Sequence, residues 1–120
     1  MDCALKCIRY LRKEVDFDVE GLLGELEGYL TPLGISMYDM IQVSARHGLL
    51  LKGYKGWKLP SAPAILYLWA FKGGHYVVLL KKERWTLTLF DGENDVVCVN
   101  RLRFYFFYSR RYLVCYNKKK

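Results

Sequence analysis

The sequence predicts an α+β fold, with helices in its first half and short antiparallel strands in its second. Three observations carry this. Apolar residues recur at helical spacing up to His47. From Leu49 onward they fall in strand-length runs rich in Val, Leu and aromatics, separated by turn signals. The two kinds of segment are segregated rather than alternating, which excludes a doubly wound parallel sheet. At 120 residues the chain is expected to form one domain, 1–120, and 52% hydrophobic with 26% charged residues excludes a disordered, collagen-like or coiled-coil chain.

Asp2 to Lys13 reads as the first helix. Ala4, Cys7, Ile8 and Leu11 form its apolar stripe, Lys6, Arg9, Arg12 and Lys13 its other face, and Asp2 its N-cap. Asp18 to Leu30 is a weaker helix because Gly21, Gly24 and Gly28 each destabilise it. Thr31-Pro32-Leu33-Gly34 breaks the chain. Ser36 opens a third helix, with Asp39 completing a capping-box pattern and Gly48 placed to end it. The strands are expected over Leu49–Tyr54, Ala64–Trp69, Tyr76–Leu80, Trp85–Phe90, Val96–Val99 and Tyr112–Tyr116. Between the last two, Asn100 is expected to cap a short helix that buries Leu102, Tyr105 and Phe106.

The net charge of +7 suggests an anionic partner until it is located. Twelve acidic and twelve basic residues balance over the first hundred positions. All the excess lies in Arg101, Arg103, Arg110, Arg111, Lys118, Lys119 and Lys120. Arginines interleaved with aromatics from Arg101 to Tyr108 would suit a nucleic-acid module, but those aromatics have a core to fill, so no nucleic acid is expected. No signal peptide is visible, and the longest apolar run, around Ala64 to Phe71, is far shorter than the ~20 residues of a membrane span. A cytoplasmic chain with reduced cysteines is expected.

Two histidines bound the candidate chemistry. His47, just before Gly48, sits at a helix end where an imidazole interacts favourably with the dipole and reads as structural. His75 follows Gly73-Gly74, a pair that permits close approach of backbone or substrate, and opens an apolar strand. A hairpin pairing residue 79 with 87 and 81 with 85, joined by Lys82-Glu83-Arg84, places Asp91 directly opposite His75. A Glu83-Arg84 turn would instead place them on opposite faces, and the pattern leaves both open. Cys3 lies in the first turn of a helix, where the dipole favours the thiolate, although by residue type alone a cysteine is commonly a core residue. Cys7, Cys98 and Cys115 read as core. A zinc site from Cys3, Cys7 and His75 has no fourth ligand and no standard spacing, so neither metal nor cofactor is expected.

These residues resemble a known family, the papain-like cysteine peptidases that remove double-glycine leaders from bacteriocin-like peptides, usually as the N-terminal domain of an ABC exporter. The resemblance rests on Asp2-Cys3-Ala4-Leu5-Lys6-Cys7, on Gly34-Ile35-Ser36-Met37-Tyr38-Asp39, and on Ala45-Arg46-His47-Gly48-Leu49. Pro63-Ala64-Ile65-Leu66, Gly74-His75-Tyr76-Val77-Val78-Leu79 and Leu89-Phe90-Asp91-Gly92 extend it over most of the chain. It implies a papain-like fold, helices packed on an antiparallel sheet. It also implies a catalytic triad of Cys3, His75 and Asp91, a Gly-Gly leader peptide as substrate, and an ABC exporter at the inner face of the membrane as partner. Two positions depart from the family. Its glutamine before the nucleophile has no counterpart, since the sequence starts two residues before Cys3 and its single glutamine, Gln42, falls in the third helix. Its proline after the aspartate is Gly92. Either the native start lies upstream, or the Cys3 amide alone serves the oxyanion, or the domain binds a leader or partner peptide without cutting it.

Overall fold

In a computed structural model, which describes residues 2–70, 73–92 and 95–119, the elements follow the expected order. Phe71 and Lys120, the ends of the apolar run and of the basic tail, lie outside the described residues. The helices are α1 (Cys3–Leu11), α2 (Val19–Leu26), extended by a 3-10 turn over Glu27–Tyr29, and α3 (Met37–Arg46). Their starts are set locally: Asp2, Asp18 and Ser36 each accept a backbone N–H from the first turn. Gly48, with φ at +85°, stops α3.

Six strands follow: β1 (Leu51–Lys55), β2 (Ala64–Ala70), β3 (Gly73–Lys82), β4 (Thr86–Asp91), β5 (Asp95–Asn100) and β6 (Tyr108–Cys115). They form one antiparallel sheet in the order β1-β6-β2-β3-β4-β5. Alternation along each strand supplies two cores. Ile65, Tyr76, Val78 and Leu113 face the three N-terminal helices. Leu66, Val77, Leu79, Leu87 and Leu89 face the other way, onto Leu59, Phe104 and Tyr108.

Cys98, read as core, is exposed on β5, and two further expectations are corrected. The β3–β4 register is Leu79 with Leu89 and Val77 with Asp91, so Asp91 is not directly opposite His75. Trp85 leaves the strand for the hairpin end, where it is 63% exposed, and Glu83 and Thr86 close the loop through a 3.0 Å backbone bond. The extra residue of a bulge between Leu79 and Lys81 then returns His75 and Asp91 to one face, two positions apart along the ladder. The second correction concerns the short helix α4 (Arg101–Phe104), which Asn100 caps as expected. It buries Phe104 and, one turn on, Tyr108, while Leu102 and Phe106 are 65% and 84% exposed. Because β6 begins at Tyr108 rather than Tyr112, the side that meets the sheet is set by Tyr108 and its i−4 neighbour.

Candidate active site

The first turn of α1 lies against β3 through two sulfurs that bracket a single residue. The Tyr76 N–H donates to Cys3 Sγ at 3.5 Å, and the Cys7 thiol donates to the Tyr76 carbonyl at 3.3 Å. Cysteines at i and i+4 share a helix face, which is why both reach one strand residue. Tyr76 is itself fixed from the other end, its buried hydroxyl donating to the Ile35 carbonyl at 2.8 Å. Cys7 is fully buried, and burial pushes its thiol well above its ordinary range, so it stays protonated and donates. It is a core residue, as the sequence implies, but it also anchors the helix carrying Cys3. The i, i+4 spacing is the sequence signal for this.

His75 and Asp91 complete the cluster. The His75 Nε2 lies 3.0 Å from Asp91 Oδ1, with both side chains roughly four-fifths buried. Two forces raise the imidazole pKa to about 9: hydrogen bonding to Cys3, the larger, and to Asp91, with burial opposing both. At neutral pH this ring is an imidazolium held between a sulfur and a carboxylate. With Nε2 taken by Asp91, Nδ1 is the nitrogen left for the sulfur. All three residues singled out in the sequence therefore meet in one place.

The surroundings differ in part from expectation. The space above Gly74 is filled by the Tyr67 ring, whose hydroxyl would clash with any Cβ there, so this glycine admits a tyrosine rather than opening a gap. On the sheet face away from α1, His75 and Asp91 border a cleft of about 760 Å³. Leu68, Trp69, Leu89, Phe104 and Phe107 give it apolar walls, and Arg103 lines it too. Leu68, Trp69 and Leu89 read only as strand residues in the sequence, and Phe104 and Phe107 are not singled out, because only the folded sheet shows which apolar residues are left uncovered. Gln42 is exposed on α3. Among the described residues no group of three His, Cys, Asp or Glu is placed to hold a metal ion, and no helix is long and apolar enough to cross a membrane.

The sequence profile of the peptidase C39 family matches residues 1–120. The chain belongs to that family. Solved structures similar to it bear out the fold. The N-terminal peptidase C39-like domain of a toxin secretion ATP-binding protein from Vibrio parahaemolyticus is 22% identical, with a TM-score of 0.77 and 98% of each chain covered. The peptidase domain of Streptococcus ComA, a bifunctional ABC transporter of a quorum-sensing pathway, is 15% identical at a TM-score of 0.79, covering 98% of this chain and 92% of that one. A double-glycine-motif protease from an AMS/PCAT transporter, solved with its leader peptide, is 18% identical at 0.75, covering 98% and 85%. No curated protein matches the chain by sequence. A cysteine-peptidase family fold, built of helices on a six-stranded antiparallel sheet, is thus established.

Proposed function

We propose that this papain-like domain is a cysteine endopeptidase that cuts after a double glycine in the leaders of secreted bacteriocin-like or signalling peptides. The observation that carries the reading is the meeting of Cys3, His75 and Asp91, with the thiol as the largest cause of the raised histidine pKa. In this mechanism Cys3 passes its proton to His75, the thiolate sulfur adds to the carbonyl carbon of the second glycine, and the carbonyl π pair moves onto oxygen. His75 delivers its proton to the departing amide nitrogen as the C–N bond breaks, leaving a thioester on Cys3. Water then gives a proton to His75 and adds to the thioester, and collapse releases the leader acid and the sulfur. Asp91 keeps Nε2 occupied, so that Nδ1 faces the sulfur throughout. The Cys3 backbone amide, at the positive end of α1, serves the developing oxyanion.

The apolar cleft beside His75 and Asp91 suits the hydrophobic side chains of a docked leader. An ABC exporter at the inner face of the membrane is the partner this reading implies, since two similar structures are domains of transporters. Incubation of a synthetic Gly-Gly leader peptide with the protein, followed by mass spectrometry, is expected to give one cut after the second glycine. No product with wild type, or equal product with Cys3→Ala, would sink the reading. The position of Gln42, exposed on α3 and apart from the Cys3–His75–Asp91 cluster, favours a second reading. A domain that captures a leader or partner peptide without cutting it would show saturable binding by titration and no product at long times.

A further inference from the structure

Asp91 is the last residue of β4, paired with Val77 on one side and Asp95 on the other, and the strand ends after it. The next residue is Gly92, and a glycine restrains its own backbone less than any other residue. The structure supplies a restraint from elsewhere. Lys6, three residues after Cys3 on α1, reaches across and donates from Nζ to the Gly92 carbonyl at 3.0 Å. Its aliphatic stem lies flat against Gly92. A Cβ added there would sit 2.6 Å from Lys6 Cδ, so that the lysine stem must move, and 3.2 Å from its Cβ, a tight contact. Gly92 is not among the residues with positive φ, so the backbone there does not demand glycine; the Lys6 stem, where it lies, leaves no room for a Cβ.

The geometry points to Lys6 as a positioning residue that ties the helix bearing Cys3 to the strand end bearing Asp91, with Gly92 kept as glycine to admit it. Tyr10 stacked on Phe90 and Cys7 bonded to Tyr76 hold α1 to the sheet. Lys6 adds the hydrogen bond that reaches the residue after Asp91, with His75 lying between Cys3 and Asp91. A partly buried N–H donated by an ammonium is among the stronger hydrogen bonds a carbonyl accepts. Small errors in such spacing are amplified in rate, because displacing a reacting group by about 1 Å costs on the order of a hundredfold. The expected effect on rate rests on the peptidase reading; the tie between helix and strand end does not.

Two measurements test it. The first is the His75 titration by NMR in Lys6→Met, which keeps the stem and removes the donor. If Lys6 acted only as a neighbouring positive charge, its loss would favour the imidazolium and raise the midpoint. If it positions Asp91, loosening the carboxylate lowers the midpoint from about 9 toward the ordinary 6.5. A fall of about one unit is expected, with Lys6→Arg restoring most of it; a rise or no change in a folded variant overturns the proposal. The second is a cycle between Lys6→Ala and Gly92→Ala, read as kcat and KM on a Gly-Gly leader peptide. Each single change is expected to lower kcat about tenfold with KM little moved, and the double variant to be no worse than Lys6→Ala alone. Additive losses overturn it. Should wild type cut nothing, the peptidase reading fails while the titration still decides the role of Lys6.

Discussion

The two histidines are nearly matched in their electrostatics and unlike in what they do. His47 caps the end of α3 and touches two carboxylates, Asp18 at 3.3 Å and Glu25 at 2.9 Å, while Arg46 shares Glu25. Its pKa is raised, chiefly by Glu25. His75 touches one carboxylate, and its pKa is raised further, chiefly by a thiol. A histidine beside an acid is therefore no sign of chemistry in this fold. The first pairing fastens α2 to α3; the second gains its character from the sulfur that the first lacks. Where each partner comes from matters equally. The acids of His47 belong to one helix and its N-cap, whereas His75 gathers a helix start and a neighbouring strand end.

The largest effect should come from the sulfur. Cys3→Ala is expected to lower kcat/KM on a leader peptide by at least ~10⁴-fold with an unchanged circular dichroism spectrum, since Cys3 is the thiol hydrogen-bonded to His75. His47→Gln, the matching change at the other site, should leave kcat/KM within about twofold. Equal losses would collapse the distinction. Asp91→Asn comes next, with an expected loss of about tenfold in kcat, because an amide oxygen still accepts from Nε2–H but lacks the charge that favours the imidazolium. A change below about threefold would reassign Asp91 to structure alone.

Titration sharpens the contrast without needing a substrate. Removal of Cys3 should lower the His75 midpoint further than Asp91→Asn does, since the thiol is the larger cause. The raised value also sets a sign for stability. The bound proton favours the folded state, fully so below the ordinary 6.5, and that contribution is lost as pH rises through about 9. Cleavage that depends on the imidazolium should fall across the same upper limit. Melting temperature and kcat/KM followed from pH 6 to pH 10 check both; a Cys3→Ala protein whose melting temperature keeps the same alkaline slope would separate that slope from the pair.

How much of the molecule is legible in its sequence depends on how local each signal is. The helix caps at Asp2, Asp18 and Ser36 depend on a few adjacent residues, and all three form. Cys3 and His75 stand out for the same reason, each marked by its own neighbours, whereas Asp91 is reached only through a strand pairing and the family resemblance. The hairpin register is not local. It turns on a bulge after Leu79, and a bulge leaves no mark in an alternating apolar pattern. The buried side of α4 is equally hidden because a helix of four residues has no period to read; Phe104 wins over Leu102 and Phe106 through the sheet beneath it. The meeting of Lys6 with Gly92, 86 residues apart, has no sequence signal at all.

The smallest effect, and the cleanest check on the comparison, is expected at His47. Its partners Asp18 and Glu25 are held below the usual carboxylate range, Glu25 chiefly by Arg46 and Asp18 chiefly by the Gly21 amide, so neither depends on the histidine first. Both acids are also substantially exposed, which weakens the pairs by solvent screening. His47→Gln should therefore lower the melting temperature by only a few degrees, with most of that difference vanishing above the histidine's own titration, where the wild-type ring has lost its charge. Glu25→Gln should be worse, because it takes a partner from Arg46 as well as from His47. Urea melts of the two variants at pH 6 and pH 9 test this order. If His47→Gln proved the more damaging at both, the ring would be acting through packing at the end of α3 rather than through its charge.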